Sequence, residues 1–224
     1  MDFLNSQHLT PQDGYAHPFP KPGEFTYSAL ISDMNQPAAS GTIIVAGQGV
    51  PEGKGKQYDI VFHWDPGARR FIPRESDIKL TLQPNDFVVF HFEAAVPGQP
   101  PCFILIRGKE AIEGDSRRLK THDAFTHFFL NPGEYAYRLG KTTYRISVAD
   151  HRSMSEEEHQ RQVQQPLVIM VNGTDVKVPH GRMVAGQSAI WAIERGESVH
   201  IESIVGEPKQ PSGDGQPTAA RRKA

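Results

Sequence analysis

The chain has 224 residues, enough for one large domain or two small ones with a sizeable core. A formal charge of −2 supplies no drive toward nucleic acid or an anionic membrane, and no apolar run is long enough to span a bilayer. The lone Cys102 excludes an internal disulfide, and the first residues lack the basic and apolar regions of a signal peptide, which together point to the cytoplasm.

Glycine and proline are frequent and β-branched residues fall in short runs, so the chain reads as many short strands joined by turns. Residues 1–17 read as an irregular arm in which His8 and His17 are solvated. Residues 18–46 follow, with Pro22-Gly23-Glu24-Phe25-Thr26-Tyr27 opening a strand and Gly41–Val45 forming another. Residues 47–56 have little apolar content and read as a flexible linker. Residues 58–64 alternate as a strand, and residues 78–92 read as two strands around the turn Gln83-Pro84-Asn85-Asp86. Residues 103–106 are a short apolar strand, residues 109–120 a charged loop, and residues 124–130 lead into a hairpin.

That hairpin, residues 131–149, organises the reading. Asn131-Pro132-Gly133-Glu134 is a turn signal: proline presets φ, and glycine offers the positive φ of a type II turn. Tyr135 and Tyr137 then share a face, as do Tyr144, Ile146 and Val148, with Thr143, Arg145 and Ser147 opposite. In the linker that follows, residues 151–165, Ser155 and Glu158 form a capping-box signature for a short helix, ended by Pro166. Residues 166–205 carry further strands, and residues 206–224 are polar and rich in proline and glycine, which reads as disorder.

The motif Pro132-Gly133-x-Tyr135-x-Tyr137 resembles the closing hairpin of cupredoxins, the small copper β-sandwiches, and Pro22-Gly23-Glu24-Phe25-x-Tyr27 repeats it. The resemblance implies an all-β, Greek-key β-sandwich fold. It implies a complete domain over residues 57–150, about the usual size for such a sandwich. It also implies a second sandwich, split or swapped, in which residues 18–46 supply the ending and residues 166–205 the beginning. If that split unit forms between chains, the protein is a homo-oligomer by strand exchange. Cupredoxins are usually exported, so on location the resemblance pulls against the missing signal peptide.

A blue copper site takes two imidazoles, one thiolate and a weak axial ligand. In the resemblance the thiolate positions fall at Ala29 and Leu139, neither of which can ligate a metal. The expected function is therefore a non-catalytic binding or structural module without cofactor, an accessory subunit that docks on a larger protein assembly by loops, amino-terminal arm and carboxy-terminal tail. The alternative is a copper-binding or electron-transfer protein whose non-blue site uses His122, His127, His151 and Met154. Cys102 reads as a buried structural thiol, His63 and His91 as strand residues, and His200 as a surface or hydrogen-bonded histidine. No phosphate-cradling glycine motif, zinc spacing or nucleophile elbow is visible, and Arg117, Arg118 and Lys120 form a modest basic loop.

Overall fold

The computed structural model describes residues 4–32, 34, 37–47, 55–173, 175–177, 183–196 and 198–203. In chain order the first strands are β1 (Asp13–Pro18), β2 (Gly23–Leu30), β3 (Ala39–Val45), β4 (Gln57–Asp65), β5 (Arg70–Pro73), β6 (Lys79–Leu82), β7 (Phe87–Phe92), β8 (Phe103–Arg107) and β9 (Ile112–Asp115). Then come β10 (Ala124–Phe128), β11 (Gly133–Leu139), β12 (Thr142–Ala149), helix α1 (Glu156–Val163), β13 (Leu167–Asn172), β14 (Asp175–Lys177), β15 (Met183–Val184), β16 (Ser188–Arg195) and β17 (Ile201–Ser203).

The strands make an all-β sandwich of three sheets. The largest has eight strands in the order β14-β13-β16-β10-β1-β7-β4-β5; a five-stranded sheet runs β6-β3-β2-β8-β9 and a four-stranded sheet β15-β12-β11-β17. Opposed residues of a paired strand share a face. Tyr15 opposes both Phe125 and Phe90, and Phe125 opposes Trp191, so these four rings lie on one face of the large sheet. Tyr27 of β2 meets Phe90 edge-on at 5.6 Å, and Tyr137 of β11 meets Trp191 at 5.4 Å. Both smaller sheets therefore cover the same face of the large one, side by side. The core is their shared interior, with Tyr27, Phe62, Phe71 and Phe90 under one sheet and Phe125, Tyr137 and Trp191 under the other.

The pairing plan occurs twice. β4 runs parallel to β7 and antiparallel to β5, just as β13 runs parallel to β16 and antiparallel to β14. β3 is parallel to β6 as β12 is to β15, and β2 pairs with β8 as β11 does with β17. Thus β1–β8 and β10–β17 are two copies of one unit, fused where β1 and β10 pair antiparallel.

Each copy lends its leading segment to the other. Asn5 bridges Glu202, and Ser6 N–H donates to Ile201 O at 2.9 Å, so residues 4–6 extend the four-stranded sheet beyond β17. Three residues later the chain has crossed to the other sandwich, where Leu9 bridges Cys102. The same crossing recurs at the same offset in the sequence. β9 extends the five-stranded sheet beyond β8, Ser116 N–H donates to Ile104 O at 3.0 Å, and Leu119 then bridges Val199 in the second sandwich. The exchange even reuses one side-chain device: Ile201 N–H donates to Ser6 Oγ and Ile104 N–H to Ser116 Oγ, both at 3.0 Å. Leu4, Leu9 and Leu119 are buried at these crossings. Burial of each such side chain stabilises by about 1.5–3 kcal/mol, which offsets part of the cost of ordering the residues that carry it.

Several expectations are thereby corrected. Of the expected arm 1–17, residues 4–17 are not free, since Leu4 and Leu9 are core residues and β1 is a central strand. The complete domain is not residues 57–150. β4–β9 take β1–β3 as their partners, and β10–β12 take β13–β17. Among the described residues, no strand of 18–46 pairs with one of 166–205, because β2 lies between β3 and β8 while β17 lies beside β11. The hydrophobic alternation of a strand states which face is buried but not which distant strand lies beside it. The charged stretch 109–120 holds β9, and Gly133 starts β11 at a nearly extended φ of 156°, not the value of about +80° that a type II turn requires. The helix forms with its cap, Ser155 Oγ accepting from Glu158 N–H at 3.2 Å. The tail 206–224 and most of the linker 47–56 fall outside the described residues.

Candidate functional site

The chemistry-bearing residues gather at the seam between the two copies. The four central strands of the large sheet share one entry turn. Thr10, Gln83, Lys120 and Val184 each donate a backbone N–H to the side-chain oxygen three residues on, at Asp13, Asp86, Asp123 and Gln187. Turns closed by an Asp carboxylate satisfy an otherwise orphaned donor at the start of a strand. Each of the three aspartate turns uses one carboxylate oxygen and leaves the other to act elsewhere. In Asp86 it accepts Lys56 N–H at 2.8 Å, a local tie.

In Asp13 and Asp123 the second oxygen reaches the other copy. His127 Nδ1 lies 2.6 Å from Asp13 Oδ1, and His17 Nδ1 lies 2.7 Å from Asp123 Oδ1. The antiparallel register dictates this reciprocity, for Asp13 opposes His127, and one step beyond the Ala16–Ala124 pair His17 meets Asp123. Side chains two apart on a strand share a face, so Asp13, Tyr15 and His17 all turn inward with Asp123, Phe125 and His127. All four charged or titratable partners are buried, and His127 is wholly so. A carboxylate accepts and an imidazole Nδ1–H donates, so each aspartate fixes the ring tautomer and orientation of the other copy's histidine.

The two halves differ at Thr10, whose Oγ1–H also donates to Asp13 Oδ2 where the second copy has Lys120, and at a phenol. Tyr15 stands where the second copy has Phe125, and its oxygen lies 3.3 Å from His17 Nδ1. Burial, and then the charge of Asp123, hold this phenol well above its ordinary pKa. Gly114 of β9 makes room here. A Cβ at that position would stand 2.8 Å from Tyr15 Oη and 3.1 Å from His17 Nδ1. On the other side of the seam, Phe129 meets the His127 ring edge-on at 4.8 Å, and His127 Nε2 is buried without a hydrogen-bond partner.

A carboxylate behind an imidazole is also the outer shell of many metal sites, so the fit of the seam to a metal is a fair test. His127 Nε2 faces an aromatic wall and has no second donor beside it; among the described residues no group of three His, Cys, Asp or Glu could hold an ion. The four candidate ligands are not brought together. His122 is exposed at the left-handed φ of 75°, and His127 is spent on Asp13. His151 is exposed and stacks on His159 at 4.3 Å, while His159 Nε2 bonds Ala185 O. Met154 is half-buried in the turn before α1. Ala29 pairs with Ala39 and Ile104 inside β2, and Leu139 with Thr142 and Ile201 inside β11, so both proposed thiolate positions are buried strand carbon. Cys102 is fully buried at the Leu9 bridge, and burial, then the charge of Asp13, push its thiol pKa far up. His17, expected to be solvated, is instead one of the seam residues. The repeat Asp-x-aromatic-x-His-x-Phe before each Pro-Gly was the signal that could have found it.

No family model, curated protein or solved structure matches this chain.

Proposed function

We propose that the protein is a non-catalytic binding or structural module with a cupredoxin-like frame that lacks the type 1 copper centre, acting as an accessory subunit of a larger protein assembly. The observation that carries this reading is the use of the buried imidazoles. His17 and His127 are tied by their Nδ1 atoms to Asp123 and Asp13, and the thiolate positions are Ala29 and Leu139. These residues do not fit a blue copper ion, which needs a sulfur donor and two free imidazole nitrogens on one pocket. The alternative copper site gains no support from the positions of His122, His127, His151 and Met154.

The docking surface in this reading is the uncovered face of the eight-stranded sheet. Met170, Ala192, Ala124, Ala16 and Val89 form one row across five adjacent strands, all half-exposed, with no polar side chain among them. A sheet face meant for water alternates polar residues outward. The five strands of the row, at about 4.8 Å spacing and about 17 Å in length, give roughly 400 Å², about half of one partner's share of a standard interface. Asp59 of β4 opposes Val89 and lies 3.5 Å from His91, so the row is an apolar strip edged by charge, which suits a protein partner.

The test is co-purification from the native source with wild-type and Ile190→Lys chains, the lysine being placed on this face. The reading expects a defined partner that the variant loses at unchanged thermal midpoint. Retention of the same partners by the variant sinks the docking face. Intense blue absorbance on adding Cu(II) to the wild type sinks the loss of copper.

A further inference from the structure

Taking the uncovered face of the large sheet as the docking surface, we propose that its partner is a second copy of this chain, bound face to face about a two-fold axis that runs across the strands; the inference rests on that reading. The register puts Val168, Ile190, Thr126, Gly14 and His91 in one row across β13, β16, β10, β1 and β7. Val61 of β4 continues the row opposite His91. Residues two positions either way along each strand stand on the same face.

Two strands are self-complementary about this row. On β10 the face reads Ala124, Thr126, Phe128, from small to large, and Phe128 is 44% exposed. A two-fold axis along the row lays Phe128 of each copy on Ala124 of the other. On β4 the face reads Asp59, Val61, His63, from acid to base, with both ends exposed. The same axis lays His63 of each copy on Asp59 of the other. Both groups are loosely held at home. Asp59 spends Oδ1 on Gln57 at 3.1 Å and His91 at 3.5 Å, and leaves Oδ2 without a contact among the described residues. His63 has only Glu93 at 3.8 Å, beyond hydrogen-bond reach, and Glu93 has Arg74 at 3.6 Å as well.

At the other end of the row Val168 is 42% exposed beside Ile190, with Met170 next on the same strand face. Adjoining apolar side chains in water, edged by charge, mark an interaction surface. The axis lays this apolar end on its own copy, which is the self-match an isologous contact requires. Rotation about an axis across the strands also keeps two equally twisted sheets aligned strand over strand, as sheets stack in sandwiches. The six strands of the row, at about 4.8 Å spacing and about 17 Å in length, cover roughly 500 Å² per copy, or roughly 1,000 Å² in all, the lower end for a specific interface. The dimer is therefore weak and forms as concentration rises.

The experiment is sedimentation equilibrium of the pure full chain from about 1 µM to about 300 µM at low salt. Wild type is expected to pass from one chain to two across that range. Phe128→Lys and, on a different strand, His63→Asp are each expected to weaken association at least about tenfold, with thermal midpoints confirming that both variants fold. The swap His63→Asp/Asp59→His is expected to restore association, because it rebuilds the pair between copies with its ends exchanged. A wild type that stays one chain at every concentration, undiminished association of either single variant, or a swap no stronger than His63→Asp would overturn the proposal. One chain throughout, together with a native partner that Ile190→Lys loses, would overturn self-pairing and leave the docking face standing.

Discussion

His127 gives its Nδ1–H to Asp13 Oδ1 at 2.6 Å across 114 residues of sequence, inside a wholly buried contact between the two copies. Buried pairs of this kind are expensive to break one-sidedly, because the survivor keeps its desolvation cost. Asp13→Ala would strand the imidazole as well as Thr10 N–H and Oγ1–H, which both donate to Asp13 Oδ2. It should lower stability by about 3–5 kcal/mol, read from urea unfolding. Asp123→Ala should cost a similar amount. A loss below about 1 kcal/mol in both would remove the clamp from the account.

Gly114→Ala should be costly for a reason of space alone. The added methyl meets Tyr15 Oη at 2.8 Å and Ile106 Cδ1 at 3.0 Å, and the tyrosine cannot swing away without leaving its buried site. Overpacking of this sort costs about 1–3 kcal/mol. Gly173→Ala, which meets nothing within 4 Å but holds φ 63°, should show only the smaller left-handed penalty of about 1–2 kcal/mol. Thermal denaturation of the two variants separates crowding from backbone strain.

Ser6→Ala and Ser116→Ala should be nearly equal in effect, because each removes the oxygen that accepts a buried isoleucine N–H at the same place in its sandwich. About 1–3 kcal/mol each is expected, since a donor is left unsatisfied. Amide exchange reads the crossing more directly. Ser6→Ala should speed exchange at Ile201 in the second sandwich and leave Ile104 protected, and Ser116→Ala should do the reverse. Equal exposure of both amides in either variant would contradict the exchanged arrangement.

Alkaline pH should unfold the chain cooperatively. Burial raises the pKa of Tyr15, Tyr27 and Tyr137, the last to about 12 from 10.0, and raises Cys102 from 9.0. A group whose folded pKa lies above its unfolded value supports the fold fully below the unfolded pKa and loses that support as pH rises. Stability should therefore hold to about pH 9 and fall above it, with tyrosinate absorbance appearing together with loss of β circular dichroism. Tyrosinate titration complete at pH 10–11 in a folded protein would show the phenols to be accessible.

Much of this structure was legible in local pattern. The alternation at Tyr144, Ile146 and Val148 gave the buried face of β12, and Ser155 with Glu158 gave the helix start. Pro22-Gly23 and Pro132-Gly133 marked the two equivalent hairpins, β2–β3 and β11–β12. Pairing was not legible, because period-two alternation is silent on whether residues 4–6 join β17 or remain free. The seam was missed for a related cause. His127 reads as a potential ligand until Asp13 is beside it, and Asp13 lies in a stretch whose apolar content is low enough to pass for an arm. The identical spacing of Asp13, His17 and Pro22 with Asp123, His127 and Pro132 was a long-range signal in the sequence.

The most direct measurement is a histidine-selective ¹⁵N–¹H spectrum of the full chain, recorded before and after one equivalent of Cu(II). Structural imidazoles predict slowly exchanging, downfield Nδ1–H signals from His17 and His127 that persist at full intensity beside the metal, in a colourless solution. Bleaching of those two signals together with a strong blue band would mean that the seam histidines hold copper, and the account would be wrong.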